Sequence, residues 1–276
     1  MSTESLSTEP QSPEPQNPAA VLIEREAGVA VVTLNVPERR NALTLALKSA
    51  LRDALAEVAD DGGVRAVVLA ANGPAFCVGQ DLGEHAAKLA EDPDGVFSTV
   101  TEHYTPVVRS MMTMPKPVIA AVEGMAVGAG LGFALAADFR VFASGVKLGA
   151  AFSGIGLTFD SGLSYTLPGA VGQARARELM LFPRIFTAEE GISWGISGET
   201  VEPGSVLARA RELAVQLAAG PTRAFAETKA LLLNGVDLEA VFEAEARAQT
   251  RAGQTEDHRN AVSAFLNREK PVFTGA

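Results

Sequence analysis

The chain has 276 residues, 47% hydrophobic and 20% charged, with a formal net charge of −10. That is enough apolar material for one main domain with an appendage, and the acidic balance argues against nonspecific binding to nucleic acid or to an anionic membrane surface. A lone cysteine, Cys77, excludes an internal disulfide; the three scattered histidines give no metal-ligand spacing, and neither an export pattern nor a membrane-length apolar run is present, so a cytoplasmic protein without metal is expected.

Residues 1–18 are rich in Ser, Thr, Glu, Gln and Pro, cannot bury a core, and are expected to form a disordered tail. Val21-Leu22-Ile23 and Gly28 to Leu34 read as two strands around a turn at Ala27-Gly28. Asn35 to Asn41, with Pro37 and two arginines, is a loop. Thr44 is a plausible cap for a helix whose apolar face is Leu45, Leu51, Leu55 and Val58. Val64 to Ala70 is an apolar run broken only by Arg65, as suits a strand covered on both faces. This strand–helix–strand unit favours an α/β layer.

The loop Asn72 to Leu82 follows that strand directly, where ligands of open α/β sheets bind. Its Asp81 reads either as a site residue or as the cap of the next helix. Glu84 to Tyr104 is polar and uneven, with a break at residues 92–95. It reads as two helical pieces on a mobile joint, with His85, His103 and Tyr104 on solvated surface or, alternatively, touching a ligand. Val107 to Met114 continues a helix that Pro115 stops.

Met114 to Asp160 is the stretch that the rest of the chain serves. A buried strand, Val118 to Val122, feeds a glycine turn, Gly124 to Gly130. An Ala-rich helix and a second strand follow, and a loop delivers Asp160. A strand running into a glycine turn and a helix N-terminus leaves backbone N–H groups free for an anion. Further on, Ala174 to Leu181 is helical, Thr187 and Glu190 form a capping box, Thr200-Val201 end a strand, and 206–219, 222–233, 238–251 and 255–267 are helices. That helical third, residues 206–276, is read as carrying little chemistry of its own.

The motifs Phe76-Cys77-Val78-Gly79-Gln80-Asp81-Leu82, Lys116-Pro117-Val118 through Gly124, Ala126-Val127-Gly128-Ala129-Gly130-Leu131 and Ala137-Asp138-Phe139-Arg140, in this order, resemble the crotonase superfamily, the enoyl-CoA hydratase/isomerase family. The resemblance covers about Val21 to Phe273. It implies a spiral of strand–strand–helix turns over residues 19–205. It also implies a C-terminal region, 206–276, that packs as a trimer or a dimer of trimers, and an acyl-CoA thioester as substrate with no prosthetic group. By position, the backbone N–H groups of Val78 and Ala129 would hold the thioester oxygen. Cys77, Val78, Gly79, Gln80, Asp81, Leu82, Gly128 and Lys270 would meet the coenzyme A thioester, Lys270 and Arg268 through its phosphates. Asp138 is read as fixing a loop, Arg140 and Glu123 as a scaffold pair, and Cys77 as a small buried residue rather than a nucleophile.

One departure bears on mechanism. Hydratases of the family use two glutamates, and the matching positions here are Gly132 and Phe152, neither of which transfers a proton. Asp160, in Ile155 to Gly162, resembles the aspartate of the family's isomerases, most similarly the 1,2-epoxyphenylacetyl-CoA isomerase branch. The expectation is therefore an acyl-CoA isomerase with Asp160 as proton shuttle, against which stands Asp160 as a mere helix cap. An enoyl-CoA hydratase and a non-catalytic acyl-CoA binder are the alternatives.

Overall fold

A computed structural model describes residues 19–275 except residue 94, so the tail expected at 1–18 lies outside the described residues. Strand β1 (Val21–Glu26) pairs antiparallel with β2 (Val29–Leu34). Ala27 and Gly28 between them both take positive φ, 50° and 77°, the twist that a two-residue hairpin turn requires. Helix α1 (Leu45–Asp60) starts on Thr44, whose hydroxyl accepts from the Leu47 amide at 3.2 Å. Its other end is closed by buried Lys116, whose Nζ donates to the carbonyls of Val58 and Asp61 at 2.9 Å each.

The chain then alternates between two sheets. After β3 (Ala66–Ala71) comes β4 (Ala75–Cys77), then α2 (Leu82–Glu91) and a π-helical turn, Val100–Tyr104, that leads into α3 (Thr105–Thr113). The same step repeats as β5 (Val118–Val122), β6 (Met125–Val127) and α4 (Ala129–Ala136). It repeats again as β7 (Phe139–Ala143), β8 (Lys147–Gly149) and α5 (Leu163–Leu181). Then follow β9 (Phe186–Thr187), α6 (Ala188–Trp194) and β10 (Glu199–Val201). The larger sheet runs β1-β2-β3-β5-β7-β10 and the smaller β4-β6-β8-β9. Apart from the hairpin and the β8–β9 pair, the pairings are parallel. Each turn of the spiral therefore adds one strand to each sheet and stacks equivalent loops side by side.

Four helices complete the described chain: α7 (Val206–Ala219), α8 (Thr222–Leu232), α9 (Leu238–Gly253) and α10 (Glu256–Leu266). Val206, Ala210, Ala214 and Ala218 recur every fourth residue and are buried. This small-residue stripe lays α7 against β2, β3, β5 and β7, so the first helix after residue 205 covers the sheet. Buried Val and Ala of the central strands meet the Leu47, Leu51, Leu55 and Val58 face of α1 in one continuous core.

Two expectations need correction. Helix α5 begins at Leu163, not Ala174, and bends at Gly172 (φ 78°); Pro168 and the glycines look like breaks in sequence but are carried as a kink. Arg140 and Glu123 do not pair. The buried Arg140 guanidinium donates to the carbonyls of Ala134, Leu135, Ala137 and Ser197, closing the end of α4, while Glu123 accepts from the Gly204 amide at 2.6 Å.

Candidate active site

Parallel neighbours β4 and β6 send their following loops to the same edge of the smaller sheet. The first loop is clamped from below. The Leu43 amide donates to the Gly79 carbonyl at 2.8 Å, and the Asp81 amide returns to the Leu43 carbonyl at 3.3 Å. Buried Asn41 bridges the Val36 amide and the carbonyls of Asn72 and Ala75, each at 2.9 Å. The two loops touch: a Cβ placed on Gly79 would lie 3.1 Å from the Val127 carbonyl oxygen and 3.6 Å from the Ala129 amide nitrogen. Val78 and Ala129 both line the resulting cavity of about 580 Å³. Neither backbone N–H donates to a protein acceptor among the described residues; that of Ala129 is the first of α4, which no intrahelical carbonyl can reach.

Gly79, Gln80, Asp81, Leu82 and Gly128 line the cavity with them. Cys77 does not: it is fully buried behind the loop, and burial pushes its thiol up to about 12, so it carries no thiolate. Lys270 is not among the lining residues either, and lies exposed beyond α10. Asp81 is the cap of α2 and also stands in the cavity wall. Its carboxylate caps α2 through the Glu84 amide at 2.9 Å and pairs with Arg39 at 2.6 Å while facing the cavity. Arg39 and Arg40, placed in a simple loop by sequence, line the exposed end.

Asp160 sits in the inner wall, 3% exposed. Its Oδ1 accepts from the Ser161 hydroxyl at 2.7 Å and its Oδ2 from Gln249 Nε2 at 2.9 Å. It does not cap α5: that helix begins on Gly162 with no side-chain cap, and Glu245 serves its first turn by accepting from the Gly162 and Ser164 amides at 2.9 and 2.8 Å. Burial raises the Asp160 carboxyl from its ordinary 3.8 to about 7, against the opposing pull of Ser161; Glu245 adds to the rise and Gln249 opposes it. At neutral pH the group is thus divided between carboxylate and acid.

Gly132 explains why no carboxylate projects from α4. A Cβ there would come within 2.6 Å of Ser161 Cβ and 2.7 Å of the Ser161 carbonyl oxygen, so the Asp160 loop fills the space a longer side chain would take. Phe152 lines the cavity and packs edge-on against Phe159, with centroids 5.8 Å apart.

His85 on α2 and His103 and Tyr104 in the π-helical turn are all buried rather than solvated, and His85 and Tyr104 line the cavity. The Tyr104 hydroxyl donates to Gln80 Oε1, which Lys48 Nζ also approaches at 3.4 Å. Asp138 is structural as expected, accepting from the Val118 amide and from Lys229, each at 2.8 Å.

Sequence reading overlooked Gln249, and with it the part α9 plays. The signal was present: Leu238, Phe242, Glu245, Gln249 and Gly253 form the buried stripe of α9, and two of its members are polar. A polar residue in a core-facing stripe must have a partner. Gln249 Oε1 takes the Thr158 amide at 3.0 Å, which leaves its NH₂ pointed at Asp160.

The family model for enoyl-CoA hydratase/isomerase matches residues 24–276. A Rhodobacter capsulatus protein named "Probable enoyl-CoA hydratase" is 40% identical over 91% of this chain and 96% of its own. The 1,2-epoxyphenylacetyl-CoA isomerase of Escherichia coli is 35% identical over 92% and 98%. The crystal structure of an enoyl-CoA hydratase from Mycobacterium avium subsp. paratuberculosis superposes with a TM-score of 0.82 at 28% identity, covering 93% of this chain and 99% of that one. A two-sheet spiral, abutting glycine loops and a sequence match over nearly the whole chain all converge, and the protein belongs to the enoyl-CoA hydratase/isomerase family, with the crotonase fold.

Proposed function

We propose that this protein is an acyl-CoA isomerase with Asp160 as its proton carrier. The observation that carries this reading is the inner wall: Asp160 is buried there with a carboxyl poised near neutrality, while Gly132 is closed off by Ser161 and Phe152 is apolar. The amides of Val78 and Ala129 hold the thioester oxygen. The Asp160 carboxylate takes a proton from one carbon of the acyl chain. The electron pair moves into an enolate whose charge settles on that oxygen, and the acid form of Asp160 returns the proton two carbons along, shifting the double bond. Each preorganised donor is worth about 3 kcal/mol in such sites. Gly79 to Leu82 and Gly128 lie along the thioester, and Arg39 and Arg40 supply positive charge for coenzyme A phosphates at the exposed end.

A hydratase reading draws on the name of the Rhodobacter relative, but needs a second group to handle water. A binder without chemistry would leave Asp160 idle. The test is hydrogen exchange in D₂O on a bound enoyl-CoA: wild type incorporates deuterium at the α- and γ-carbons and Asp160→Asn does not. Labelled oxygen entering the acyl chain from solvent would establish hydration instead, and no exchange at all would leave a binder. Exposed apolar side chains on α8 and beyond α10, Leu231, Leu232, Val272 and Phe273, support the trimeric packing that the family resemblance implies. Light scattering in solution reads the mass directly.

A further inference from the structure

The cavity wall also holds His85, an ionisable side chain held in place from behind. His85 Nε2 lies 2.8 Å from His258 Nε2, and His258 Nδ1 lies 2.7 Å from the Ile155 carbonyl oxygen. The carbonyl can only accept, so His258 Nδ1 carries a hydrogen. With a neutral ring, His258 Nε2 is then the acceptor, and His85 Nε2 must donate to it. Both rings are held neutral by burial, His85 down to about 4. The relay therefore fixes the tautomer of His85 and leaves its Nδ1 with a lone pair. No protein group hydrogen-bonds that nitrogen among the described residues, and no fully buried side-chain nitrogen or oxygen there lacks a partner. Nδ1 of this 4%-exposed ring therefore keeps some accessible surface, and the open space that His85 lines is the cavity. Phe97 packs edge-on at 5.6 Å from His85 and also flanks His258, so it braces both rings of the relay.

We propose that His85 Nδ1 is a fixed hydrogen-bond acceptor that selects acyl-CoA substrates carrying a hydroxyl on the acyl group beyond the reacting carbons. This rests on the isomerase reading only in taking the acyl chain to occupy this cavity. The surrounding wall of Phe97, Val100, Phe152, Ile155 and Leu157 offers an apolar chain nothing but contact area. A plain alkyl group laid over Nδ1 would strip it of water without replacing the bond, whereas a hydroxyl hydrogen completes it. An ether, epoxide or carbonyl oxygen has no hydrogen to give and gains nothing here. The groups facing His85 are His258 from α10 and, electrostatically, Lys48 from α1.

The experiment compares one straight-chain acyl-CoA with counterparts bearing a single hydroxyl at successive carbons beyond the β-carbon, by calorimetry on the full-length protein. At least one counterpart is expected to bind roughly ten- to hundredfold more tightly than the parent, as sites built to bond a hydroxyl discriminate. His85→Phe is expected to bring that ratio to about one. Equal affinity across the series in wild type, or an undiminished ratio in His85→Phe, overturns the proposal. Should the variant not fold, nitrogen-15 NMR of histidine-labelled wild type decides: an unprotonated His85 Nδ1 that shifts on adding the hydroxylated ligand is expected, and a protonated or unresponsive one refutes it. Preference for a hydroxyl without any α-hydrogen exchange would leave this proposal standing and remove the isomerase reading.

Discussion

The two sides of the cavity are built by different means. On one side, the loops after β4 and β6 present main-chain amides, and what places them is largely backbone against backbone: the Leu43 clamp, the parallel register, the close approach at Gly79. On the other side, a single side chain is placed by side-chain partners, Ser161 beside it and Gln249 far along the chain. Gln249 is 89 residues from Asp160, and Gly132 must be bare for the loop to fit at all. The backbone bends sharply there too, with Ser161 at φ 55° followed by Gly162 at 73°, a conformation a non-glycine residue adopts only when its surroundings enforce it. Amide donors tolerate varied side chains; a buried acid depends on its whole neighbourhood.

The largest effect expected from breaking this division is on the side-chain half. Asp160→Asn should lower turnover by about 10²- to 10⁴-fold, the range for a lost general acid–base group. It should also stabilise the protein above neutral pH. The folded carboxyl holds its proton up to about 7, whereas the unfolded one releases it near 3.8, so folding binds a proton between those values. Wild-type stability contributed by this group is therefore greatest at the acid end and falls as pH rises through 7, by on the order of 3–4 kcal/mol. The histidines, lowered by burial, slope the opposite way, so the readout is the wild-type-minus-variant difference in denaturant unfolding. A difference that stays flat from acid to alkaline pH would show that Asp160 is not held protonated.

A matched pair of alanines sharpens the comparison at lower cost to the protein, each expected to destabilise by roughly 1–3 kcal/mol. Gly79→Ala, at φ 83° and against the Val127 carbonyl, disturbs the amide side. It should weaken acyl-CoA binding several-fold and leave the pH midpoint of exchange in place. Gly132→Ala pushes on Ser161 and should move that midpoint while binding stays nearly constant. If both variants give one phenotype, the two halves are not separable.

The same division decides how much was legible in sequence. The alternating strands, the glycine loops and the cap on Thr44 follow local patterns, so the spiral and the two loops that meet at the cavity could be read from the motifs. Asp160 stood out as a carboxylate in an apolar stretch. What supports it did not, because Gln249 is informative only once α9 is known to lie behind the loop. His85 and His258 are likewise 173 residues apart, and neither ring suggests a relay by itself. The segment around Tyr104 misled because its polar composition resembles surface, while His103 and Tyr104 in the π-helical turn are buried.

Gln249→Leu should give the smallest effect and the most direct one on Asp160. The amide donates to Oδ2 and so favours the charged form; without it the carboxyl should rise above its present value of about 7. The pH midpoint of α-hydrogen exchange should move upward by up to about one unit, and exchange at neutral pH should slow several-fold because less carboxylate is present. Thr158 also loses the acceptor of its amide, which adds roughly 1 kcal/mol of instability without altering the direction of the shift. A merely structural role for Gln249 would lower stability and leave the midpoint where it is, so the pH profile, rather than the rate at any one pH, distinguishes a residue that tunes the acid from one that only packs beside it.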